Sequence, residues 1–218
     1  MRILVVDIGG SNVKLKLQGK DPLKFRSGKR LTPELFVREI QLLTDTWRYD
    51  RVSIGFPGVV KNNQVLIEPV NLGPGWVGFD FAKALKKRVR VINDAAMQAL
   101  GSARKPGITL FLGLGTGLGV SLVVEGHVVP TELGEAHVNM VSKAALKRDG
   151  RRKWTANVKA TIEDFYRNLH PDEIVIGGGN VELLKPFRKH FPHRSIRAGG
   201  NDRAFLGGIR LWSRIVHR

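Results

Sequence analysis

Cysteine is absent from this chain of 218 residues. Disulfides and thiolate metal sites are therefore excluded, and we expect a reducing compartment. Long apolar runs are missing too, because glycines interrupt the longest one and Asp7 interrupts the apolar start MRILVVD. Neither segment is suited to a membrane span or to the core of a signal peptide. We therefore expect a cytoplasmic protein with no membrane partner.

Acidic residues are scarce, with 19 Asp and Glu against 36 Lys and Arg, a formal net charge of +17. A basic surface attracts anions, so nucleic acid, a membrane surface and an anionic polymer are all conceivable partners, beside a basic surface with no specific partner. Aromatic residues make up only 7% of the chain, which leaves little for stacking on bases, so no nucleic acid is expected. The positive charge is densest at 143–159 and 185–197, and neither block is an unbroken run of the kind that forms a disordered arm.

Glycine is abundant, with 25 residues, and four of them lie in the apolar stretch GLGTGLG at 113–119. Glycine weakens a strand but allows a ligand to approach the backbone closely. Related turns occur at 7–14 (DIGGSNVK) and at 176–180 (IGGGN). Backbone N–H groups in such turns bind phosphate oxygens. The dinucleotide fingerprint G-x-G-x-x-G and the Walker pattern are both absent, and tight turns of a β-meander remain the alternative for any single turn.

The order of elements is the same in the two halves of the chain. Each half is predicted to begin with a buried strand, a glycine turn and a second strand, followed by helices and a further strand. This order indicates an α/β protein with two related lobes. The predicted strands are 2–7, 13–17, 51–55, 89–92, 108–114, 119–124 and 173–176, and the predicted helices are 33–47, 81–88, 95–103, 160–168, 180–187 and 205–216.

The first turn carries the side chains that phosphate chemistry needs. Asp7 ends the first strand and is suited to holding Mg²⁺ through water. Ser11, Asn12 and Lys14 can donate hydrogen bonds to phosphate, beside the backbone of Gly9 and Gly10. In the second turn we expect Thr116 and the amides of Gly115 and Gly117 to do the same. The third turn offers small residues on which a flat base or a ribose can lie, namely Gly177, Gly178 and Gly179.

Asp94 is the candidate catalytic base. It follows a buried strand and precedes a helix, so it lies on a rigid support. Taken alone, the pair Asn93 and Asp94 is explained most simply as a helix cap.

Seven segments in order resemble the ROK (repressor, ORF, kinase) family of sugar kinases, a branch of the actin-like ATPase superfold. They are DIGGSNVK, IGFPGVV, NLGPGW, VINDAAMQALG, GLGTGLG, TELGE and IVIGGG. Within the family the chain is most similar to the polyphosphate glucokinases, through FPGVV (56–60), TELGE (131–135) and HPDEIVIGGG (170–179).

The resemblance implies a two-lobed, ribonuclease H-like α/β fold with a central cleft. The small lobe would comprise 1–104 with the returning helix 205–218, and the large lobe 105–204. It also implies that Asp94 is catalytic, that ATP or polyphosphate is the phosphoryl donor, that Mg²⁺ is the metal and that the protein is a homodimer. The sugar-binding residues implied are Gly58, Asn71, Asn93, Asp94, Glu132, Glu135 and His137.

Two departures from the family pattern matter. Related chains have a histidine three residues after the glutamate of TELG, whereas here Glu135 is in that place and a histidine follows at 137. Either His137 reaches the same hydroxyls, or the sugar is not glucose, or the site is weakened. The Cys-rich zinc motif of many members is absent, as it is in polyphosphate glucokinases. ROK repressors begin with a helix-turn-helix, and the direct start on the first phosphate strand disfavours a regulator.

Together these residues predict a Mg²⁺-dependent kinase that transfers a phosphoryl group to the primary hydroxyl of glucose or a related hexose. A polyanionic donor would explain the net charge through a basic track. The candidates for this track are Lys14, Lys147, Arg148, Arg151, Arg152 and Lys153. The alternative is a non-catalytic protein on the same fold that binds a sugar or a polyanion.

Overall fold

The computed structural model describes residues 1–104, 106–129, 131, 133–191, 195–200 and 202–213. These form two compact units. Unit 1 comprises Met1–Met97 and the chain from Ala204 onward, and unit 2 comprises Gln98–Arg203. The division thus falls at Met97, whereas the sequence analysis put it after residue 104.

Unit 1 is built on a mixed sheet that the sequence pattern explains. Its elements are β1 (Ile3–Ile8), β2 (Asn12–Leu17), β3 (Leu23–Arg26), α1 (Pro33–Leu43), β4 (Arg51–Phe56), β5 (Val60–Lys61), β6 (Gln64–Val65), α2 (Phe81–Leu85), β7 (Arg88–Asn93) and α3 (Asp94–Ser102), which continues into unit 2. The main sheet has the order β3-β2-β1-β4-β7, with β1, β4 and β7 parallel and β2 and β3 antiparallel. Strand β1 is buried throughout, as a central strand covered on both faces must be. Strand β2 alternates buried and half-buried residues, which reflects its alternating apolar sequence.

The helices of unit 1 begin where capping residues predict. Thr32 accepts a hydrogen bond from the Leu35 N–H and Pro33 occupies the first turn, so α1 begins as expected. Asp80 caps α2 in the same way, through the N–H of Lys83. The apolar faces of these helices join an aromatic core that includes Phe36, Phe56, Trp76 and Phe81.

Unit 2 repeats the strand arrangement of unit 1. Its elements after α3 are β8 (Ile108–Leu114), β9 (Leu118–Val124), β10 (His127–Val129), α4 (Val138–Val141), α5 (Lys143–Leu169), β11 (Glu173–Gly177), a 3₁₀ turn at Val181–Leu184, α6 (Phe187–His190) and β12 (Ile196–Ala198). The sheet order is β10-β9-β8-β11-β12, with β8, β11 and β12 parallel and β9 and β10 antiparallel. Each unit therefore has a three-strand meander extended by two parallel strands, which confirms the predicted α/β class with two related halves.

Helix α5 is the longest element and crosses the basic block 143–159. It is interrupted at Gly150, whose φ of 75° and ψ of 162° are not helical. Trp154, Val158, Ile162 and Phe165 are buried on one side of the helix. The sequence analysis expected a helix only at 160–168, because basic residues hide the short apolar stripe that starts the helix earlier.

The chain returns to unit 1 as α7 (Arg203–Arg210). Gly208 lies so close to strand β1 that a Cβ atom there would be 2.4 Å from Cγ1 of Val5. The Ser53 hydroxyl donates to the carbonyl of Gly208 at 2.6 Å and accepts from Nε1 of Trp212 at 2.8 Å. These contacts fix the end of the described chain on the sheet of unit 1.

Other predicted helices also differ from the structure, and two of them, 33–47 and 81–88, end earlier, at Leu43 and Leu85. The predicted helix 205–216 begins at Arg203 and ends at Arg210, and residues 214–218 lie outside the described part of the chain. The predicted helix 180–187 is instead a 3₁₀ turn followed by α6, because Pro186 lacks the N–H that a continuous helix requires. None of the helices in the described ranges has both the length and the apolar character needed to cross a membrane.

Candidate active site

The carboxyl ends of three parallel strands in unit 1 bring two acidic residues to one edge of the sheet. Asp7 of β1 is paired with Gly55 of β4, and the next residue of β4 is paired with Asn93 of β7. Asp94 follows Asn93 directly and is the first residue of α3. Residues at this edge of a parallel sheet are held by the strand ladder on one side and by the helix on the other.

Burial and like charge together raise the pKa of Asp94 to about 7, from an ordinary value of 3.8. Loss of hydration is the larger cause, and the negative charge of Asp7 is the second. Its Oδ1 accepts a hydrogen bond from the Ala95 N–H at 2.8 Å, which acts in the opposite direction. A carboxyl group that titrates close to neutral pH is suited to proton transfer.

Asp7 is only 7% exposed, and its burial raises the pKa of its carboxyl group. Lys14, which faces it across the β1–β2 ladder, lowers the pKa to a smaller extent. Two coupled carboxyl groups that are costly to ionise are suited to a bound divalent cation. No group of three or more potential metal-ligating side chains occurs within the described ranges.

Asn93 connects the strand end to the loop after β4. Its Nδ2 donates to the carbonyl oxygen of Gly58 at 3.1 Å, and its Oδ1 accepts from the Ala96 N–H at 3.1 Å. The second bond is the cap of helix α3, so capping belongs mainly to Asn93. The cap and the candidate base are thus neighbouring residues, and the cap uses neither carboxylate oxygen of Asp94.

The first glycine turn is the hairpin between β1 and β2. The Gly9 N–H donates to the carbonyl of Asn12 at 3.0 Å. Ser27 fixes the turn from outside, since its hydroxyl donates to the Gly9 carbonyl at 2.6 Å and its N–H donates to the Ser11 carbonyl at 3.2 Å. Nothing in the sequence indicates a role for Ser27 at this turn, because it is distant along the chain.

The second and third glycine turns meet within unit 2. The Asn180 N–H donates to the Leu114 carbonyl at 3.1 Å, and the Lys143 N–H donates to the Gly115 carbonyl at 2.9 Å. Gly178 has a φ of 88°, and a Cβ atom there would be 2.3 Å from the Leu114 carbonyl oxygen. The two turns are therefore adjacent, while Thr116 at the tip of the second turn is exposed.

Some of these glycines serve the fold and others do not. A Cβ atom at Gly177 would be 2.7 Å from the ring of Phe111, so Gly177 and Gly178 are required for packing. A Cβ atom at Gly10, Gly115 or Gly179 would have no neighbour within 4 Å, and none of these three has a positive φ. The fold alone would accept a side chain there, so these three open glycines are available for a ligand that approaches the backbone.

The candidate sugar-binding residues that follow β10 differ in their burial and contacts. Nε2 of His137 lies 3.3 Å from Oδ2 of Asp164 on α5, and the imidazole ring packs edge-on against Phe165. Glu135 is exposed, and so is Asn71 in unit 1. Glu132 lies outside the described residues. His137 is thus held by a carboxylate that the sequence analysis did not single out.

Two further residues shape unit 1 near its acidic edge and were missed from the sequence. Gly55 allows α3 to approach β4, since a Cβ atom there would be 2.5 Å from Cε of Met97 and 3.3 Å from Cα of Asp94. Glu68 accepts hydrogen bonds from the N–H groups of Gly75, Trp76 and Val77, at 3.1 to 3.2 Å. A lone glycine in a strand was the only signal for the first, and nothing in the sequence indicated the second.

Comparison with known proteins identifies the family of this chain. The model of the ROK family matches residues 3–139, which is more than half of the chain, and the chain therefore belongs to the ROK family. It is 25% identical to polyphosphate glucokinase of Mycobacterium tuberculosis (strain H37Rv), over 80% of this chain and 76% of that protein. Identity to the polyphosphate glucokinase of Mycobacterium leprae is 24%, over 80% of this chain and 62% of that protein.

Solved structures define the fold as the actin-like ATPase fold of ROK sugar kinases. A polyphosphate/ATP-glucomannokinase from Arthrobacter sp. strain KM matches with a TM-score of 0.77 and 20% identity, covering 95% of this chain and 96% of that one. A ROK glucokinase from Streptomyces griseus, solved with glucose and AMPPNP, matches with a TM-score of 0.78 and 18% identity, covering 97% and 99%. A ROK transcriptional regulator, a homologue of the E. coli MLC protein, also matches, with a TM-score of 0.76, 16% identity and coverage of 96% and 77%. The fold is therefore shared by kinases and regulators, and function must be argued from the site.

Proposed function

We propose that this protein is a hexokinase-type phosphotransferase that moves a phosphoryl group from polyphosphate or ATP to the primary hydroxyl of glucose or a related hexose. The observation that carries the proposal is the carboxyl group of Asp94 at the end of β7, with a pKa of about 7 and Asp7 close enough to raise it. The ROK family membership and the polyphosphate glucokinase relatives support the same reaction class.

Asp94 acts as the base in this proposal. Its carboxylate accepts the proton of the sugar hydroxyl while the hydroxyl oxygen forms a bond to the terminal phosphorus of the donor. The bond from that phosphorus to the bridging oxygen breaks, and the shortened donor leaves with the electron pair. The support from β7 and the cap from Asn93 keep the Asp94 carboxyl group in one position during the transfer.

Asp7 is the residue that would hold a Mg²⁺ ion, whose charge, when bound, offsets the negative charge of the phosphoryl donor. The burial of Asp7 and its coupling to Asp94 make an added positive charge favourable there. Lys14, opposite Asp7 in the ladder, is proposed to contact a donor phosphate directly.

Backbone amides are proposed to bind the donor at the glycine turns. In unit 1 these are the amides around Gly10, with Ser11 and Asn12 adding side-chain donors. In unit 2 they are the amides of Gly115–Gly117 with the Thr116 hydroxyl, and the third turn would contact a nucleotide base or ribose when ATP is the donor. The open surroundings of Gly10, Gly115 and Gly179 support this assignment.

The sugar is proposed to bind through Asn93, Asp94 and the Gly58 backbone, which are joined by the Asn93–Gly58 hydrogen bond. Asn71, Glu132, Glu135 and His137 are the further candidates. His137 is already oriented by Asp164, so its imidazole can contact a hydroxyl without further ordering. Assembly of the protein into a homodimer is proposed from the family resemblance alone.

The test is formation of glucose 6-phosphate by the purified protein with Mg²⁺, with polyphosphate and ATP compared and Asp94→Asn as the control. Turnover that the variant loses would support the kinase. Because Asn is close to Asp in size, a folded but inactive variant assigns the loss to the carboxylate. Absence of turnover with both donors over a panel of hexoses would contradict the proposal.

A second function is a non-catalytic sugar-binding protein on the same fold. The observation that favours it is that Glu135 is in the place of the family's histidine, while His137 contacts Asp164. Calorimetry separates the two functions: glucose binding without turnover, together with turnover gained by Glu135→His, would assign the loss of activity to this segment.

A further inference from the structure

A groove on the exposed side of α5 in unit 2 carries positive charge that the candidate active site does not use. Its volume is about 500 Å³. The lining residues lie on one face of the helix, and they are Arg151, Arg152, Thr155, Ala156 and Lys159. No carboxylate is among the described residues that line it. A concentration of cations without counter-charges is unfavourable unless an anion is bound.

The cations of this groove differ from the rest of the basic block. Arg148 and Lys153 both contact Asp149, at 2.7 and 3.6 Å, so their charge is compensated within the helix. Arg152 is exposed and Lys159 is half-buried, and neither has an ion pair in the described structure. Arg152 and Lys159 in the groove are therefore available to bind an anion, unlike Arg148 and Lys153.

The position of these cations is fixed by the fold. The Arg151 guanidinium donates to the Leu183 carbonyl at 3.1 Å, which holds it beside the 3₁₀ turn. Helix α5 is interrupted at Gly150, so Arg151, Arg152 and Lys153 lie in the first turn of its second part. Basic side chains are unfavourable at the start of a helix, where the dipole is positive, and an anion there is favourable.

Helix α6 adds to the same field. The pKa of His190 is lowered by burial and then by the positive charges of Lys159, Lys189 and Arg151. Lys189 is exposed, and it therefore extends the cationic surface beyond the groove. Glu182, at the 3₁₀ turn beside Arg151, already contacts Lys185 at 2.8 Å.

We propose that this groove, with Arg151, Arg152, Lys159 and Lys189, is a second anion-binding site that holds a chain of inorganic polyphosphate. A polyphosphate chain has one charge per phosphate and no bases, which fits cations spaced over two turns around the small side chains of Thr155 and Ala156. Nucleic acid fits less well, because no aromatic residue is among the described residues that line the groove. The site would bind the donor named in the proposed function, and the inference rests on that function for the identity of the ligand. Its test measures binding and does not require turnover.

The experiment measures the affinity of the full chain for polyphosphate of defined length, for tripolyphosphate and for a single-stranded oligonucleotide of matched charge. No sugar is present, so the result does not depend on turnover. The test variant is Arg152→Glu with Lys159→Glu, and Arg152→Gln with Lys159→Gln is the milder form. The control is Lys20→Glu with Arg38→Glu, which changes the net charge equally at exposed positions of unit 1. Thermal melting verifies that each variant is folded.

We expect the test variant to bind long polyphosphate about tenfold or more weakly, with a salt slope reduced by roughly one to two, because two contacts are lost. The milder variant should show a smaller loss in the same direction, and the control should differ from the parent protein by less than about twofold. Equal losses in the test variant and the control would overturn the site. Tighter binding of the oligonucleotide than of polyphosphate, lost in the test variant, would replace the proposal with a nucleic-acid site. If binding behaves as expected but the protein lacks turnover, only the proposed kinase function fails.

Discussion

At the scale of single residues, the candidate active site depends on a carboxyl group that the fold makes costly to ionise. Asp94 has its pKa raised to about 7 by burial first and by Asp7 second. The folded chain therefore binds this proton more tightly than the unfolded chain does. The stability that the proton provides is fully present below about pH 4 and is lost as the pH rises through about 7.

Asp94→Asn should consequently stabilise the metal-free protein at alkaline pH. Near pH 8 we expect an increase of about 1–3 kcal/mol in the free energy of unfolding, since Asp94 as a residue is half-buried and solvent reduces the cost of its charge. Near pH 4 the two proteins should differ little. Urea unfolding in the presence of EDTA at both pH values measures this. A variant that is destabilised equally at both would mean that the carboxylate is held by favourable partners.

Substitution by alanine should affect the stability of the protein very differently at two glycines of the phosphate turns. Gly178→Ala adds a Cβ atom 2.3 Å from the Leu114 carbonyl oxygen at a φ of 88°. We expect it to destabilise the protein by more than about 2 kcal/mol.

Gly10→Ala adds a Cβ atom with no neighbour within 4 Å, so the melting temperature should hardly change. If a donor phosphate approaches this backbone, the KM for the donor should rise while the protein stays folded. Thermal melting and donor titrations of both variants give the comparison. An unchanged KM in Gly10→Ala would exclude close approach of the donor at this turn.

At the scale of elements, a buried hydroxyl group helps to attach the end of the described chain to the sheet of unit 1. Ser53 is fully buried, donates to the Gly208 carbonyl on α7 and accepts from Nε1 of Trp212. The guanidinium groups of Arg51 and Arg90 also lie over the ring of Trp212, at 4.6 and 4.5 Å from its centroid. Helix α7 is short, and these contacts, rather than its own propensity, hold it in place.

Ser53→Ala should therefore loosen α7 specifically. Two buried polar groups lose their partner, and we expect a cost of about 1–3 kcal/mol. Amide hydrogen exchange should accelerate most at 203–210, whereas Ser213→Ala, at an exposed position, should leave exchange there unchanged. Uniform acceleration over unit 1 would mean that α7 does not open separately from its sheet.

At the scale of the whole molecule, the dominant feature is the net charge of +17. A long polyphosphate contacts many cations at once, while ATP contacts few, so the two donors should differ in their response to salt. We expect the KM for polyphosphate to rise with NaCl at least about twice as steeply as the KM for ATP on a double-logarithmic plot. Steady-state kinetics from low to moderate salt measures both slopes. Equal slopes would mean that the net positive charge serves general solubility rather than the binding of polyphosphate.

The sequence by itself determined the parts that depend on neighbouring residues. Buried strands of continuous apolar residues, the cap at Thr32 and the glycine turns are local patterns, and so the class of fold and the position of Asp94 at a strand end were predictable. The early turns of α5 were not, because interactions with the core, through residues such as Trp154, outweigh the weak helical signal of a basic stretch.

Only the tertiary structure decided which distant residues act together. Strand pairing brings Asp7 to the same edge as Asp94 and Ser27 to the first turn, and the packing of α5 against α4 brings Asp164 to His137. The tertiary structure also distinguishes the glycines that the fold requires from those with open surroundings. In the same way it distinguishes the cations paired within α5 from those that line the groove. Local patterns fix backbone conformation, but burial, pKa and charge pairing depend on contacts between residues far apart in the chain, and these exist only once the sheets have formed.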